Sequence, residues 1–331
     1  MKHIDVRMRV ASGSCSTLVV LVTLVRGSVL PLLVLVLAAC SNGGTHETDA
    51  AGPAPADAPD VSDPSSRPDY SKILLEPAVE TVMLDEAETA RAWNASEVRV
   101  PAGFPLSGSV DVAALEALPA SQSKGRTWPV VIWLHGCLGH WSGTIDRLNW
   151  LASLGFVVIA PDSFARDFYP TSCDPATFRA GLYRPVLQMR QIDATYALWR
   201  VRQFAWAKQE AIHLGGFSEG GTAAATLDLS AYPALAPRSR VIESWSCRAP
   251  WREYQGMSAS SAEPVMTLVA SNDPWYDNAW QRGDCGEYLD YSNGSESIVV
   301  DWTPLATSHE LLGDANLREL VASFLLQGTV H

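Results

Sequence analysis

Short apolar runs alternate with stretches of helical periodicity from about residue 129 onward. The runs are rich in Val and Ile, and turn residues bound them, so they predict buried strands. They cover residues 129–134, 156–160, 211–214, 264–270 and 297–302. Buried strands that alternate with helices predict an α/β fold, with a mostly parallel central sheet and helices on both faces.

Helices are predicted where apolar residues recur at helical spacing, over residues 144–154, 184–208, 220–229 and 316–326. Residues 97–100 are interpreted as an edge strand. Ligands of such sheets bind beyond the carboxyl ends of the strands. The residues that directly follow the strands are therefore the first candidates for a functional site.

The N-terminal segment does not belong to this pattern. Four basic residues, Arg26 the last of them, precede an uncharged run over residues 27–39, which suits the apolar part of a signal peptide. The run ends in Leu-Ala-Ala-Cys40-Ser, which resembles the lipobox of bacterial lipoproteins. We therefore predict a lipoprotein signal peptide over residues 1–39 and lipidation of Cys40. The alternative is a transmembrane anchor over residues 17–39, but Arg26 near its middle would cost about 2.5–3.5 kcal/mol.

Residues 40–69 are acidic and rich in Pro and Ala, and Val61 is their only large apolar residue. Such a segment buries too little surface to offset its ordering entropy, so we predict a disordered tether that leads to a folded α/β domain over residues 70–331. Without residues 1–39 the net charge changes from −12 to −15, because that segment holds four of the 24 basic and one of the 36 acidic residues. This charge disfavours nucleic acid as a partner and leaves the lipid anchor as the predicted contact with a membrane.

The chain length and composition leave room for a large folded domain. It has 331 residues, of which 47% are hydrophobic and 18% charged. That balance supplies a sizeable core and excludes a wholly disordered chain.

A G-x-S-x-G motif is centred on Ser218, directly after a predicted strand and before small residues that suit a closely packed helix. A strand, a sharp turn and a helix with glycine on both sides of the serine are what a nucleophile elbow requires. We predict that Ser218 is a nucleophile and that the backbone N–H of Glu219 faces an oxyanion. The alternative is an ordinary glycine-rich turn between a strand and a helix.

The second oxyanion donor is expected in the loop His-Gly-Cys-Leu-Gly that follows the strand over residues 129–134. The backbone N–H of Cys137 is the first choice and that of Leu138 the alternative. We interpret His135 as a structural hydrogen-bonding residue of this loop rather than as a base.

The general base and its acidic partner are chosen by chain order, since proteins with such an elbow place their triad in the order Ser, acid, His. Of the seven histidines, His309 lies between the last predicted strand and the last predicted helix. Asp273, three residues after the strand over residues 264–270, is the predicted acid. Asp277 in the same loop and Glu243 after an earlier strand are the alternatives.

Four cysteines fall in the predicted domain, at positions 137, 173, 247 and 285. An even number in an exported protein predicts disulfides, although three pairings are open. CxxC spacing is absent from the sequence, so no structural zinc site is predicted. The expected chemistry needs neither a metal nor an organic cofactor.

From about residue 125 to the end, the chain resembles the dienelactone-hydrolase-like branch of the α/β-hydrolases. The matching pieces are HGCLG at 135, APDSFAR at 160, GFSEGG at 216, ASNDPW at 270 and the loop around His309. The resemblance implies the α/β-hydrolase fold. Dienelactone hydrolases proper use a Cys nucleophile, whereas Ser218 stands in this elbow, which favours a general hydrolase of small-molecule carboxylic esters.

The same resemblance implies a disulfide pairing, in which Cys137 is joined to Cys173 and Cys247 to Cys285. Some of the aromatic residues in loops at the strand ends are expected to line an apolar or aromatic substrate pocket, and the alternative for each is a packing role in the core: Trp141, Phe164, Tyr169, Trp245, Trp251, Trp275 and Tyr276. A peptidase or an acyltransferase would use the same triad. A surface lipoprotein that binds a ligand without turnover is the alternative from another functional class.

Overall fold

The computed structural model describes residues 85–276 and 280–327. The predicted signal peptide over residues 1–39, Cys40, the tether over residues 40–69 and Asp277 lie outside the described residues. So does the alternative anchor over residues 17–39. Within the part of the chain that is described, no helix has the length and apolar character to cross a membrane.

Seven strands form the central sheet, and two more form a short hairpin beside it. In chain order the strands are β1 (Glu97–Arg99), β2 (Trp128–Leu134), β3 (Val157–Ala160), β4 (Cys173–Asp174), β5 (Arg179–Ala180), β6 (Ala207–Phe217), β7 (Arg240–Glu243), β8 (Val265–Ala270) and β9 (Glu296–Val300). The sheet order is β1-β3-β2-β6-β7-β8-β9, and β4 pairs with β5 in the hairpin. Strand β1 is antiparallel to β3 and the other pairs of the sheet are parallel. The predicted α/β fold is confirmed, and β1 is the predicted edge strand.

Among residues 85–276 and 280–327, seven α-helices flank the sheet: α1 (Glu86–Asn94), α2 (Val112–Ala117), α3 (Ala120–Ser123), α4 (Ser142–Ser153), α5 (Pro185–Val201), α6 (Glu219–Thr226) and α7 (Ala315–Leu326). Alternate residues of β2 pack into two separate hydrophobic cores, one on each face of the sheet. Ile132 packs in a cluster with α1, α2, α5 and α6. Trp133 packs in a second cluster with α4 and α7 on the opposite face. The parallel sheet is therefore buried on both sides, which is why its strands read as continuous apolar runs.

The predicted helix over residues 184–208 is too long. Helix α5 ends at Val201, and β6 already begins at Ala207. Apolar residues continue at helical spacing beyond Val201, but Phe204 and Trp206 lie in a turn and stack on each other with ring centroids 5.0 Å apart. Trp206 is buried, so its apolar character reflects a core contact rather than a helix face.

Candidate active site

The turn between β6 and α6 places Ser218 at the carboxyl end of the central strand. Its backbone adopts φ 57° and ψ −119°, a region that non-glycine residues rarely occupy and that costs of order 1–3 kcal/mol. The backbone N–H of Ser218 donates to the carbonyl of Glu243 on β7 at 2.9 Å, which helps to hold the turn. A Cβ atom at Gly216 would overlap the Gly220 carbonyl, and one at Gly220 would overlap the Leu134 carbonyl. The two glycines of the motif thus allow the strand and the helix to approach closely.

His309 lies between Ser218 and Asp273. Its Nε2 is 2.8 Å from the Ser218 Oγ, and its Nδ1 is 2.6 Å from Asp273 Oδ2. A carboxylate can only accept, so the contact with Asp273 assigns the proton to Nδ1 and leaves Nε2 to accept from the Ser218 hydroxyl. Asp273 is 1% exposed, and its other oxygen accepts the Trp275 N–H at 3.0 Å. The structure therefore brings together the three residues predicted as nucleophile, base and acid.

Glu243, one of the alternative acids, supports the histidine loop instead. Its fully buried carboxylate accepts two hydrogen bonds from Arg147, at 2.7 and 2.6 Å. It also accepts the backbone N–H groups of Leu311 and Leu312, at 2.9 and 2.8 Å, just after His309. Glu243 thereby fixes the segment that carries the imidazole, while Asp273 contacts the ring.

Arg190 connects the two segments predicted to supply oxyanion donors. Its guanidinium is fully buried and donates to the carbonyls of His135 and Gly136, at 2.6 and 3.0 Å. It also donates to the Glu219 carboxylate at 2.8 Å. The Gly136 carbonyl and the Cys137 N–H belong to one trans peptide group, so they point in opposite directions. Since the carbonyl faces Arg190, the Cys137 N–H faces away from Arg190. Cys137 lines the same cavity as Ser218.

His135 is a structural residue of this loop, as predicted. It is fully buried, its Nδ1 lies 2.7 Å from the Gly136 carbonyl, and its Nε2 accepts the Ser163 N–H at 3.3 Å. Burial, with the nearby Arg190 charge adding to it, lowers the pKa of His135 well below its ordinary value. The imidazole is therefore neutral.

Side chains that could hold a metal come together at His135, His140 and Asp162, whose ligand atoms lie within 4.8 Å of one another. The Arg190 guanidinium lies 2.9 Å from His135 Nδ1 and would repel a cation there. The Nε2 lone pair of His135 is already directed at the Ser163 N–H. We assign no metal to this group.

Two disulfides brace the loops around the site. Cys137 is bonded to Cys173, which ties the predicted oxyanion loop to the β4–β5 hairpin. Cys247 is bonded to Cys285, which ties the loop after β7 to the segment after β8. The predicted pairing is confirmed.

Most of the aromatic residues predicted for the pocket lie beside Ser218. One cavity that contains Ser218 and His309 is lined by four of them, Trp245, Trp251, Trp275 and Tyr276, and a second is lined by Trp141 and again by Trp275. The other two, Phe164 and Tyr169, line a separate depression that also borders Cys137 and Leu138. There Tyr169 accepts from Arg190 at 2.9 Å, so its position is set by the buried charge cluster.

Two residues of the site have no counterpart in the sequence-based predictions. Arg190 lies on a buried face of α5, four residues after Val186 and four before Ala194. A charged residue among apolar ones at this spacing is the sequence signal that could have identified Arg190 as a site residue. Phe178 lies in a hairpin of two-residue strands, too short for any periodicity to show.

Three features together define an α/β-hydrolase. They are a mostly parallel sheet of this strand order, a serine on a strained turn after the central strand, and a histidine–aspartate pair beyond later strands. The family model of the dienelactone hydrolase family matches residues 112–282, just over half of the chain. The chain therefore belongs to the dienelactone hydrolase family, which supports a hydrolase. The matched range includes Ser218 and Asp273 and ends before His309.

Several solved structures are similar to this chain at low sequence identity. A hyperthermophilic esterase from the archaeon Pyrobaculum calidifontis is 16% identical, with a TM-score of 0.39, over 62% of this chain and 79% of that one. A dienelactone hydrolase-like promiscuous phosphotriesterase from metagenomic libraries is 17% identical, with a TM-score of 0.41, over 61% and 87%. The butyrate-bound esterase 2 of the planctomycete Thermogutta terrifontis is 14% identical, with a TM-score of 0.42, over 70% and 88%. No curated protein matches the sequence.

Proposed function

We propose that this protein is a serine hydrolase of carboxylic esters, with Ser218 as nucleophile, His309 as general base and Asp273 as the acid that orients the base. The observation that carries the proposal is the hydrogen-bonded series from Asp273 through His309 to Ser218, with distances of 2.6 and 2.8 Å. A nucleophile, a base within hydrogen-bond reach and a buried group that orients the base form the arrangement that activates a serine hydroxyl.

The reaction proceeds in two acyl-transfer steps. His309 Nε2 takes the Ser218 proton as Oγ attacks the ester carbonyl carbon, and the carbonyl oxygen becomes an oxyanion held by the N–H groups of Glu219 and Cys137. The tetrahedral intermediate collapses, the C–O bond to the alcohol breaks, and the alcohol leaves with the proton from His309. Water then gives a proton to His309 and attacks the acyl carbon. The bond from that carbon to Ser218 Oγ breaks and His309 returns the proton to Oγ, which releases the acid and restores Ser218 and His309.

The hydrogen bonds that hold the loop around Cys137, the predicted oxyanion loop, support this assignment. Arg190 holds the carbonyls before Cys137 and the side chain of Glu219, so the two proposed donors belong to one braced unit. Donors that are already oriented stabilise the developing charge without reorganising during the reaction. Neither a metal nor an organic cofactor takes part in the proposed steps.

The test is hydrolysis of p-nitrophenyl acetate and longer acyl esters by the purified protein, beside Ser218→Ala. We expect turnover in the natural protein and loss of it in the variant. Ser153→Ala serves as a matched control, because this exposed hydroxyl bonds only to a main-chain carbonyl of its own helix. Equal turnover by Ser218→Ala would refute the proposal, and cleavage of amides or acyl transfer to an added alcohol in preference to water would favour a peptidase or an acyltransferase.

We propose further that Cys40 carries a lipid that anchors the protein to the bacterial cell envelope. The lipobox-like sequence before it supports this, and so do the two disulfides, since such bonds persist in oxidising compartments. Growth of bacterial cells that express the chain with an alkyne-bearing fatty acid should label the natural protein and not Cys40→Ala. Equal labelling of both would refute the anchor.

A further inference from the structure

Two cavities meet at the catalytic pair. The first, of about 280 Å³, is lined by six aromatic side chains, among them Tyr183, Trp245 and Trp251, and also by two arginines, a glutamate and a glutamine. The second, of about 430 Å³, is lined by Leu138 and Trp141 together with loop residues on the other side of His309. Each is close to the small end of the range for ligand pockets, about 300–1,000 Å³, so each suits one modest group, and the aromatic side chains of the lining favour an apolar one.

Within the described part of the chain, four residues line both cavities: Ser218, His309, Phe178 and Trp275. The first two are the proposed catalytic residues. Phe178 and Trp275 contact each other edge-to-face, with ring centroids 5.7 Å apart and an interplanar angle of 83°. This aromatic pair therefore forms the boundary between the two cavities at the point where the ester carbonyl must lie.

Trp275 is the fixed member of the pair. Its backbone N–H donates to Asp273, and its ring lies 5.3 Å from the imidazole of His309. Its place is thus set by the same residues that set the catalytic geometry. Phe178 approaches from another part of the chain, the β4–β5 hairpin.

A disulfide and hydrogen bonds within its turn fix the hairpin that carries Phe178. The disulfide from Cys173 to Cys137 anchors its first strand, and the Asp174 carboxylate accepts the Ala176 N–H at 2.9 Å and the Thr177 hydroxyl at 2.6 Å within the turn. Phe178 itself has φ 52°, a left-handed conformation that a bulky residue rarely adopts. Its side chain is 48% exposed, so core packing does not account for this strained position.

We infer that Phe178 is a specificity-determining residue that, with Trp275, divides the cleft, so that the enzyme selects esters with an apolar group on each side of the carbonyl. One group enters the aromatic cavity beside Trp245 and Trp251, and the other enters the cavity beside Leu138 and Trp141. The inference rests on the proposed ester hydrolysis and adds to it the substrate class.

Phe178→Ala tests this directly, with Phe168→Ala as the matched control. Phe168 is the same residue type with similar exposure, 43%, and it lines neither cavity. The readout is kcat/KM for ethyl acetate, ethyl phenylacetate, benzyl acetate and benzyl phenylacetate, so that the acyl and alcohol groups vary separately. Phe178→Tyr should retain the natural preference because its ring keeps the boundary.

We expect the natural protein and Phe168→Ala to prefer benzyl phenylacetate over each ester with a single bulky group. In Phe178→Ala this preference, measured relative to ethyl acetate, should fall about tenfold or more, the size of effect that loss of apolar contacts in a pocket gives. Turnover of ethyl acetate with an unchanged preference in Phe178→Ala would overturn the inference and leave the proposed function standing. Absence of turnover with every ester in the natural protein would overturn both.

Discussion

At the scale of single residues, the proposed chemistry depends on which nitrogen of His309 is free. Asp273 determines this, because its buried carboxylate binds Nδ1 and leaves Nε2 facing Ser218. Replacement by an amide would place an N–H donor within reach of Nδ1 and favour the other tautomer, in which Nε2 carries the proton and cannot accept one from Ser218.

We therefore expect Asp273→Asn to lower kcat by about 10⁴-fold with little change in melting temperature. Ester hydrolysis and thermal unfolding of the purified variant measure the two quantities. Asp277→Asn is the matched control, since Asp277 is the nearest alternative acid in the sequence, and it should retain activity. The reverse ranking of the two variants would assign the acid to Asp277.

A second prediction concerns Arg190, which we regard as a positioning residue. Arg190→Met removes the donors to the His135 and Gly136 carbonyls and leaves the buried Glu219 carboxylate without its cation. Removal of one member of a buried ion pair costs about 3–5 kcal/mol, and misplacement of an oxyanion donor lowers kcat about 10²–10³-fold. Both the free energy of unfolding and kcat should therefore fall.

The double variant Arg190→Met, Glu219→Gln separates the two effects, because it removes the unpaired charge but does not restore the donors to the loop. We expect it to regain most of the stability while kcat remains low and KM changes little. Recovery of kcat together with stability would show that Arg190 has only a structural role.

The residues of the proposed triad could be predicted from the sequence because each follows a strand whose apolar run is unmistakable. Ser218 also stands in a short motif with a steric reason for each glycine. Arg190 and Phe178 could not be found in this way. Their importance arises from contacts with segments far away in the chain, such as the loop at His135 for Arg190 and the Trp275 ring for Phe178.

At the scale of elements, the close approach of β6, α6 and β2 positions Ser218, the proposed nucleophile. We predict that Gly220→Ala destabilises the protein by about 3 kcal/mol or more, because the new methyl group would overlap the carbonyl of Leu134 on β2. Gly313→Ala is a suitable control, since a Cβ atom there would meet nothing within 4 Å. Thermal or urea unfolding measures both, and equal stability of the two variants would contradict this account of the elbow.

The type of an element could be predicted where its hydrophobic periodicity is clear. The end of an element could not be predicted where tertiary packing determines it. The inner strands of the sheet, such as β3, β7 and β8, are buried on both faces and therefore show as apolar runs in the sequence. The end of α5 at Val201 could not be predicted, because the apolar residues that follow are required by the core around Phe104, where the Trp206 ring packs at 5.3 Å. The helices α1 to α3 cover the sheet with short segments that carry too few residues for a clear period.

At the scale of the whole molecule, the dependence of stability on pH follows from buried histidines. His213 on β6 is 1% exposed, and burial, with a smaller contribution from the Arg238 charge, lowers its pKa to about 3. In the unfolded chain the pKa is about 6.5, so the unfolded state binds more protons between these values. The contribution of His213 to stability is therefore full above pH 6.5 and is lost as the pH falls from 6.5 towards 3.

We expect this effect to amount to about 2 kcal/mol at pH 5. His213→Asn removes the titrating group, and its amide can still bond with the Ser239 hydroxyl that His213 Nδ1 contacts at 2.8 Å. Urea unfolding at pH 7 and pH 5 should therefore show a smaller loss of stability in the variant than in the natural protein. An equal loss in both would contradict a low pKa for His213.

The most direct test of the central claim is labelling of the folded protein with a fluorophosphonate, followed by peptide mapping. The phosphorus of such a probe is attacked by an activated serine and mimics the tetrahedral intermediate of ester hydrolysis. We predict a single adduct on Ser218, absent from Ser218→Ala and from heat-denatured protein. An adduct on another residue, or none in protein shown to be folded, would contradict the assignment of Ser218 as the nucleophile.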